Sequence, residues 1–185
     1  VGEKVQALAE YEVITAEESA SLMVVQALTG GRKMDYIVEK LGELGVERLT
    51  PAFTEKAVVR SYRASADKVA RWRRIARAAA AQSKRRAPMA IDEPVVLSEW
   101  ASENAGRIQV LVLEADAGLL REAICPDNSS LALVIGPEAG LSEKEAEVLK
   151  KAGAGFVSLG KQVLRMETAA VVASALVMHR IGVLG

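Results

Sequence analysis

The sequence contains few of the residues that bind metals, form disulfides or act in nucleophilic pairs. It has one cysteine, Cys125, and one histidine, His179, among 185 residues. A lone cysteine cannot form an internal disulfide, which is typical of a protein in the reducing cytoplasm. One Cys and one His are also too few for a structural zinc site. His179 falls near the end of the last predicted helix, so a Ser-His or Cys-His catalytic pair is not expected.

Long hydrophobic runs and the common nucleotide-binding motifs are also missing. No apolar run approaches the roughly twenty residues that a membrane-spanning helix needs, and no signal-peptide pattern opens the chain. Neither the Walker pattern nor a Gly-x-Gly-x-x-Gly fingerprint follows a predicted strand. The start at Val1-Gly2, without an initiator Met, predicts a processed, truncated or partly disordered N-terminus. The 50% hydrophobic content is ample for the core of one good-sized domain.

Apolar runs and helical periodicities alternate along the chain. Short apolar runs predict strands over residues 21–28, 46–53, 107–115, 131–135 and 155–159, and a turn follows the third run at residues 116–118. Helical spacing predicts helices over residues 33–44, 65–86, 97–104, 143–152 and 166–181, with Gly45 as the C-cap of the first and Ser65 as the N-cap of the second. A strand, a helix and a strand in that order imply a parallel sheet, so the fold class is α/β.

Two glycine-marked turns follow the last two predicted strands. Gly136-Pro-Glu-Ala-Gly140 precedes a capping box at Ser142-Glu-Lys-Glu145, and the second turn spans residues 159–165. In open α/β sheets, ligands bind outside the carboxyl ends of the strands. These two loops are therefore the predicted site.

The charges are unevenly distributed although they balance overall. The chain has 24 basic and 24 acidic side chains, but ten Lys or Arg lie between Arg60 and Arg86 against one acid, Asp67. Such a segment can steer an anionic partner, or it can simply be a solvated helix face. Trp72, in the same segment, fits a core anchor better than a base-stacking platform.

Four stretches resemble motifs of the bacterial ribosomal RNA methyltransferases called RsmE. Residues 133–142 (LVIGPEAGLS) and 157–169 (VSLGKQVLRMETA) resemble the paired C-terminal signatures of that family. Residues 40–46 (KLGELGV) resemble its Lys-Ala-Thr-Glu-Leu-Gly-Val motif, and Gln82-Ser83 with Arg85 and Pro88 resembles its Glu-Gln-Ser segment. The resemblance runs from about Leu22 to the C-terminus.

The resemblance implies a SPOUT-class methyltransferase with a mostly parallel sheet, flanking helices and a C-terminal trefoil knot. It implies a homodimer that binds S-adenosylmethionine and methylates N3 of a uridine in small-subunit (16S) ribosomal RNA, free or in the 30S particle. Family members carry an N-terminal PUA-like RNA-binding barrel. Residues 1–19 are expected to be its remnant or a linker, and residues 20–185 the methyltransferase domain.

The resemblance and the loop positions together give a set of candidate site residues. Arg165, Glu167 and Glu138 are the catalytic candidates, because a carboxylate can take the N3 proton and a cation can stabilise the developing charge. For Glu138 the alternative is a loop-bracing hydrogen bond, and for Glu167 and Thr168 it is capping of the last helix. The cofactor-binding candidates are Leu113, Glu114, Gly136, Pro137, Gly140, Ser158, Leu159, Gly160, Val163 and Leu164. The RNA-binding candidates are Lys40, Arg60, Arg74, Arg77, Lys84, Arg85 and Arg86.

Four residues depart from the family pattern. Ala139, Gln162, Gly42 and Ala81 stand where Gly, Arg, Thr and Glu are usual. The last three departures can each remove a polar contact to RNA or to a neighbouring loop. Three other functions stay open at this point: an RNA-binding protein without catalysis, a ribose 2'-O methyltransferase, and an unrelated Rossmann-like enzyme for a small molecule.

Overall fold

The computed structural model of the chain describes residues 21–57, 66–124 and 130–184. Seven strands and six helices alternate in these ranges. The strands are β1 (Ser21–Ala27), β2 (Arg48–Phe53), β3 (Ala90–Ile91), β4 (Val95–Val96), β5 (Gln109–Leu119), β6 (Ser130–Ile135) and β7 (Gly155–Ser158). The helices are α1 (Lys33–Leu44), α2 (Ala66–Gln82), α3 (Leu97–Asn104), α4 (Leu120–Ala123), α5 (Glu143–Lys151) and α6 (Met166–Arg180).

The strands form one sheet in the order β3-β2-β1-β6-β5-β7, with β4 paired to β2. Every strand pair in this sheet is parallel. The predicted α/β class with a parallel sheet is therefore confirmed. Because β1 lies beside β6, the loops that follow these two strands meet at one edge of the sheet although they are far apart in sequence.

Helices cover both faces of the sheet. Along β6, Leu131, Leu133 and Ile135 join one buried cluster with residues of α1, α2, α4 and α6. Ala132 and Val134 point to the other face and join a second cluster with residues of α3 and α5. Burial on both faces explains why this strand is a continuous apolar run.

Local signals placed most element boundaries well. Helix α1 spans the predicted residues and ends at Gly45, whose φ of 101° and N–H bond to the Leu41 carbonyl are those of a left-handed C-cap. The capping box of α5 is present in full. Helix α2 stops at Gln82 rather than near Arg86, and Trp72 is buried in the core, as predicted. The predicted N-cap Ser65, the N-terminal remnant and Cys125 lie outside the described residues.

Strand β5 differs from its prediction. The turn predicted at residues 116–118 is instead an irregularity within a longer strand: Leu113 and Gly118 both face Val157 of β7. The residues between them leave the ladder as a bulge, and the strand then continues to Leu119. The short edge strands β3 and β4 were not predicted, because two residues carry no periodicity.

Helix α6 packs one side against α1, β1 and β6 and leaves apolar side chains on the other. Ala170, Ala173 and Val177 are fully buried, whereas Val172 and Leu176 are 36% and 48% exposed. Helix α6 is therefore a core helix with a second, exposed apolar face. Within the described ranges, none of the helices has the length and apolar character needed to cross a bilayer.

Candidate active site

A cavity of about 280 Å³ opens at the carboxyl edge of the sheet, where β5, β6 and β7 end. Its walls come from the bulge of β5, the loop after β6, the loop after β7 and the first turns of α6. The lining residues are Leu113, Glu114, Ala115, Ile135, Gly136, Pro137, Glu138, Gly140, Leu141, Leu159, Gly160, Gln162, Val163, Leu164, Met166 and Ala169. The predicted pair of loops therefore forms one concave site.

Two glycines give the loops their shape. Gly140 has φ 71° and donates its N–H to the carbonyl of Pro137, which closes the turn after β6. Gly160 has φ 115°, a conformation that L side chains rarely adopt. Both turns therefore bring bare backbone to the cavity wall.

The bulge of β5 forms the opposite wall. It presents Glu114 and Ala115 to the cavity, and the Ser158 hydroxyl donates a 2.9 Å hydrogen bond to the carbonyl of Ala117. Ser158 is 5% exposed and lies behind the wall. Of the ten predicted cofactor-binding residues, Ser158 is the one that does not line the cavity, because its hydroxyl anchors the bulge instead.

A charged cluster stands at the rim of the cavity. Glu138 Oε1 accepts a 2.7 Å hydrogen bond from Lys33 Nζ and a 3.2 Å hydrogen bond from Thr29 Oγ1. The hydrogen bond from Lys33, above all, holds the pKa of Glu138 below its usual value, and it raises the pKa of Lys33. Thr29 and Lys33 follow β1, so this contact joins the first predicted unit to the glycine loop. It is the loop-bracing hydrogen bond considered for Glu138.

The two other catalytic candidates lie at the start of α6. Arg165 is the N-cap residue, exposed, with extended backbone and no side-chain capping bond. Glu167 lies in the first turn, 4.0 Å from Lys33 Nζ. Its Oε2 is shielded from solvent and accepts no hydrogen bond from the described part of the chain. The N-terminus of α6 thus shows no side-chain capping bond, the alternative considered for Glu167 and Thr168.

Two of the predicted RNA-binding residues, Lys84 and Arg86, lie away from the cavity. Asp35 near the start of α1 pairs with Arg71, and Gly42 near its end lies against Ala79, so α1 and α2 run parallel. The N-terminus of α1 is at the cavity edge. Lys84 and Arg86, beyond the end of α2, therefore lie about one helix length away, roughly 18 Å for twelve residues.

Two of the predicted RNA-binding residues have structural partners. The Arg85 guanidinium donates to the carbonyls of Gly42, Gly45 and Val46 at 3.0, 3.1 and 3.2 Å, and burial lowers its pKa. Arg85 therefore has a structural role at the end of α1, where its guanidinium satisfies backbone carbonyls. Lys40 Nζ is held by Glu39 at 2.7 Å and Glu43 at 2.9 Å, which raises the pKa of the lysine.

Four of the remaining predicted cations are exposed. Arg74, Arg77, Lys84 and Arg86 form no ion pair within the described ranges, and Arg60 lies outside them. Lys84 also has the sole positive φ, 57°, among the described non-glycine residues.

The departures from the family pattern have local explanations. Ala139 has negative φ and needs no glycine. A side chain on Gly42 would place its Cβ 3.1 Å from the Ala79 Cβ, so the glycine lets α1 and α2 approach closely. Gly42 is therefore a packing residue rather than a lost RNA contact. Gln162 lines the cavity, and Ala81 is exposed near the end of α2.

The sequence model of the RNA methyltransferase domain matches residues 16–178. Ribosomal RNA small subunit methyltransferase E of Aquifex aeolicus is 31% identical over 169 residues, which are 91% of this chain and 72% of that protein. The chain belongs to the ribosomal RNA small subunit methyltransferase E family. The match to this chain covers 59%, 72% and 60% of the length of the family members from Buchnera aphidicola, Aquifex aeolicus and Mycobacterium bovis, respectively.

Solved structures of similar proteins share the fold. A methyltransferase from Legionella pneumophila in complex with S-adenosylmethionine (SAM) has 30% identity and a TM-score of 0.81, over 87% of this chain and 66% of that one. A methyltransferase E from Neisseria gonorrhoeae, also bound to SAM, has 28% identity and a TM-score of 0.80, over 86% and 66%. The fold is thus of the SPOUT class that these family members adopt. The trefoil knot stays a prediction.

Proposed function

We propose that this chain transfers a methyl group from S-adenosylmethionine to N3 of a uridine in small-subunit ribosomal RNA. The observation that carries the proposal is the cavity at the carboxyl edge of the sheet, with Arg165 and two carboxylates at its rim. Membership of the methyltransferase E family supports the reaction class. A ribosomal RNA substrate implies that the protein acts in the cytoplasm, which is part of the proposal.

The residues of the cavity suit the cofactor. Its volume of about 280 Å³ lies near the lower end of the roughly 300–1,000 Å³ that small-molecule sites span. Apolar side chains such as Leu113, Leu159 and Met166 provide faces for an aromatic base. The backbone around Gly136 and Gly160 offers hydrogen-bonding groups, and the Glu114 carboxylate can accept from ribose hydroxyls. When bound, S-adenosylmethionine supplies a methyl group that is activated by its positively charged sulfur.

The chain's own part is to orient the base, exclude water and remove a proton. The N3–H of uracil is a weak acid, so the proton must leave as the nitrogen forms its new bond to carbon. A carboxylate at the rim takes this proton. Arg165, exposed and without an ion-pair partner in the described ranges, stabilises the negative charge that spreads onto the flanking carbonyl oxygens.

Two further features belong to the proposal. RNA backbone phosphates contact Arg74, Arg77, Lys84 and Arg86, which position the substrate but carry little sequence information. The exposed apolar face of α6, with Val172 and Leu176, packs against a second copy of the chain in a homodimer. The trefoil knot, and a PUA-like origin of residues 1–19, complete the expected domain organisation.

Methylation of small-subunit particles, followed by digestion and mass spectrometry of the nucleosides, tests the reaction. N3-methyluridine is the expected product; a methylated ribose would assign the 2'-O reaction instead. Calorimetry with S-adenosylmethionine separates both from an RNA-binding protein without catalysis, which would give no binding heat.

Arg165→Ala is expected to lower turnover by roughly 10²-fold or more, the usual loss for one charge-stabilising donor. Its affinity for S-adenosylmethionine should stay within a few fold of wild type. Arg121→Ala is the matched control, because Arg121 is 79% exposed and lies on α4 beside Glu122. A large loss of cofactor affinity in Arg165→Ala would place this arginine in the cofactor pocket rather than at the reaction.

A further inference from the structure

The two rim carboxylates occupy different environments. Glu138 has its Oε1 committed to two donors, Lys33 and Thr29, and its side chain is 43% exposed. Glu167 has a side chain that is 18% exposed and an Oε2 with neither solvent nor a hydrogen-bond donor in the described part of the chain. One carboxylate is already satisfied, and the other lacks a donor.

A buried carboxylate oxygen without a donor is costly, because water no longer compensates its charge. Such atoms are rare in folded proteins and call for an explanation, for example a ligand that supplies the missing donor. The imide N3–H of a uracil ring is a donor of that kind. Lys33 Nζ lies within 4.0 Å of both this oxygen and the Oε1 of Glu138, which lines the cavity, so the atom is close to the cavity rim where the base is proposed to enter.

Lys33 lies between the two carboxylates. Its ammonium lies 2.7 Å from Glu138 Oε1 and 4.0 Å from Glu167 Oε2. The first distance is a hydrogen bond and the second is an electrostatic contact without one. A single lysine therefore fixes Glu138 and compensates the charge of Glu167 while leaving the Glu167 oxygen unbonded.

We infer that Lys33, on α1, is a positioning residue of the active site: it holds Glu138 as a fixed anion and leaves Glu167 to accept the N3 proton. This inference rests on the proposed function. Arg165, the other charged group at the start of α6, adds positive charge beside Glu167 and serves the substrate oxygens. When the cofactor supplies its methyl group, N3 gains a bond to that carbon as the carbon–sulfur bond breaks and leaves a neutral thioether; the N3 proton passes to Glu167 and is then lost to solvent.

The test compares Lys33→Met, Lys33→Arg, Glu167→Gln and Glu138→Gln by single-turnover methylation of small-subunit particles across pH. Glu167→Gln should lose roughly 10²-fold or more in rate, as expected for removal of a general base. Glu138→Gln should lose clearly less rate than Glu167→Gln, since Glu138 takes no proton. Lys33→Met should move the acidic limb of the pH–rate profile upward by about one unit, because losing a nearby positive charge favours the protonated carboxyl.

The Lys33→Met enzyme should therefore recover towards the wild-type rate as pH rises, and Lys33→Arg should restore the wild-type profile. Lys151→Met is the matched control: Lys151 pairs with Glu147 at 2.8 Å, far along α5 from the rim. Its profile should match that of wild type. A merely structural role for Lys33 would lower stability without moving the acidic limb.

Two results would overturn the inference while leaving the proposed function intact. The first is an active wild type and a Lys33→Met variant with the same pH–rate profile. The second is a Glu138→Gln variant that loses as much rate as Glu167→Gln. An inactive wild type would instead reject the proposed function. Titration of the glutamate carboxyls by carbon NMR tests the contact between Lys33 and Glu138 directly. Lys33→Met should return the pKa of Glu138 towards its ordinary value.

Discussion

Replacing Arg85 with methionine is expected to destabilise the fold, because this guanidinium satisfies the C-terminal end of α1. Three carbonyl oxygens, those of Gly42, Gly45 and Val46, accept its hydrogen bonds at 3.0–3.2 Å. Methionine keeps much of the apolar stem but supplies no donor. The change therefore isolates the polar contribution of the side chain.

The expected loss follows from the number of bonds and their setting. A net value of about 0.5–1.5 kcal/mol for each hydrogen bond, with a few tenths for the favourable charge at a helix C-terminus, gives about 2–4 kcal/mol. For a chain of this size, that corresponds to a fall in melting temperature of roughly 5–15 °C. Calorimetric or circular-dichroism melting measures the change directly.

Arg86→Met is the matched control for charge and position. Arg86 is exposed and has no ion pair among the described residues, so its removal should change stability by no more than about 0.5 kcal/mol. It should instead weaken RNA binding and reduce the slope of log affinity against log salt by about one. If both variants melt within about 2 °C of each other, the capping role of Arg85 is wrong.

Two further predictions concern packing. Gly42→Thr, which installs the residue usual in the family, should lower the free energy of unfolding by about 1–3 kcal/mol through overpacking against Ala79. Adding Ala79→Gly to this variant should recover part of the loss. Equal stability of wild type and Gly42→Thr in urea unfolding would refute the close-packing explanation. The double variant Val172→Glu, Leu176→Glu should be a monomer by light scattering, with the helix content of wild type, if the proposed dimer forms through α6. A wild type that is already monomeric, or a double variant that still dimerises, would exclude α6 as the interface.

Sequence periodicity was a good guide where the structure depends on neighbours in the chain. The apolar face of helix α1, its C-cap Gly45 and its length all depend on about a dozen consecutive residues. The capping box of α5 is equally local. The β5 bulge was read as a turn because Gly118 is a genuine turn signal. Only pairing with β7, which places Leu113 and Gly118 opposite the same Val157, shows that the strand resumes.

The candidate site divides in the same way. Its two glycine loops were predictable, because each follows a buried apolar strand and parallel strands end at a common edge. The contacts that the side chains of these loops make could not be predicted from the sequence. Lys33 and Glu138 are 105 residues apart, and their contact depends on β1 lying beside β6. Ser158 was assigned to the cavity from its position in the motif, but its hydroxyl turns back to Ala117.

The parallel course of α1 and α2 limits how the basic segment can serve the reaction. The exposed cations begin beside α1 and end with Arg86, about 18 Å from the cavity edge, the length of the twelve-residue helix α1. One strand of a regular duplex carries a phosphate about every 3.4 Å along the helix axis, so this distance covers several nucleotides. An RNA that meets both the cavity and Arg86 must therefore extend well beyond the methylated uridine. The effect of Arg86→Met should accordingly be sought with long or assembled RNA, because a short oligonucleotide at the cavity would not reach this charge.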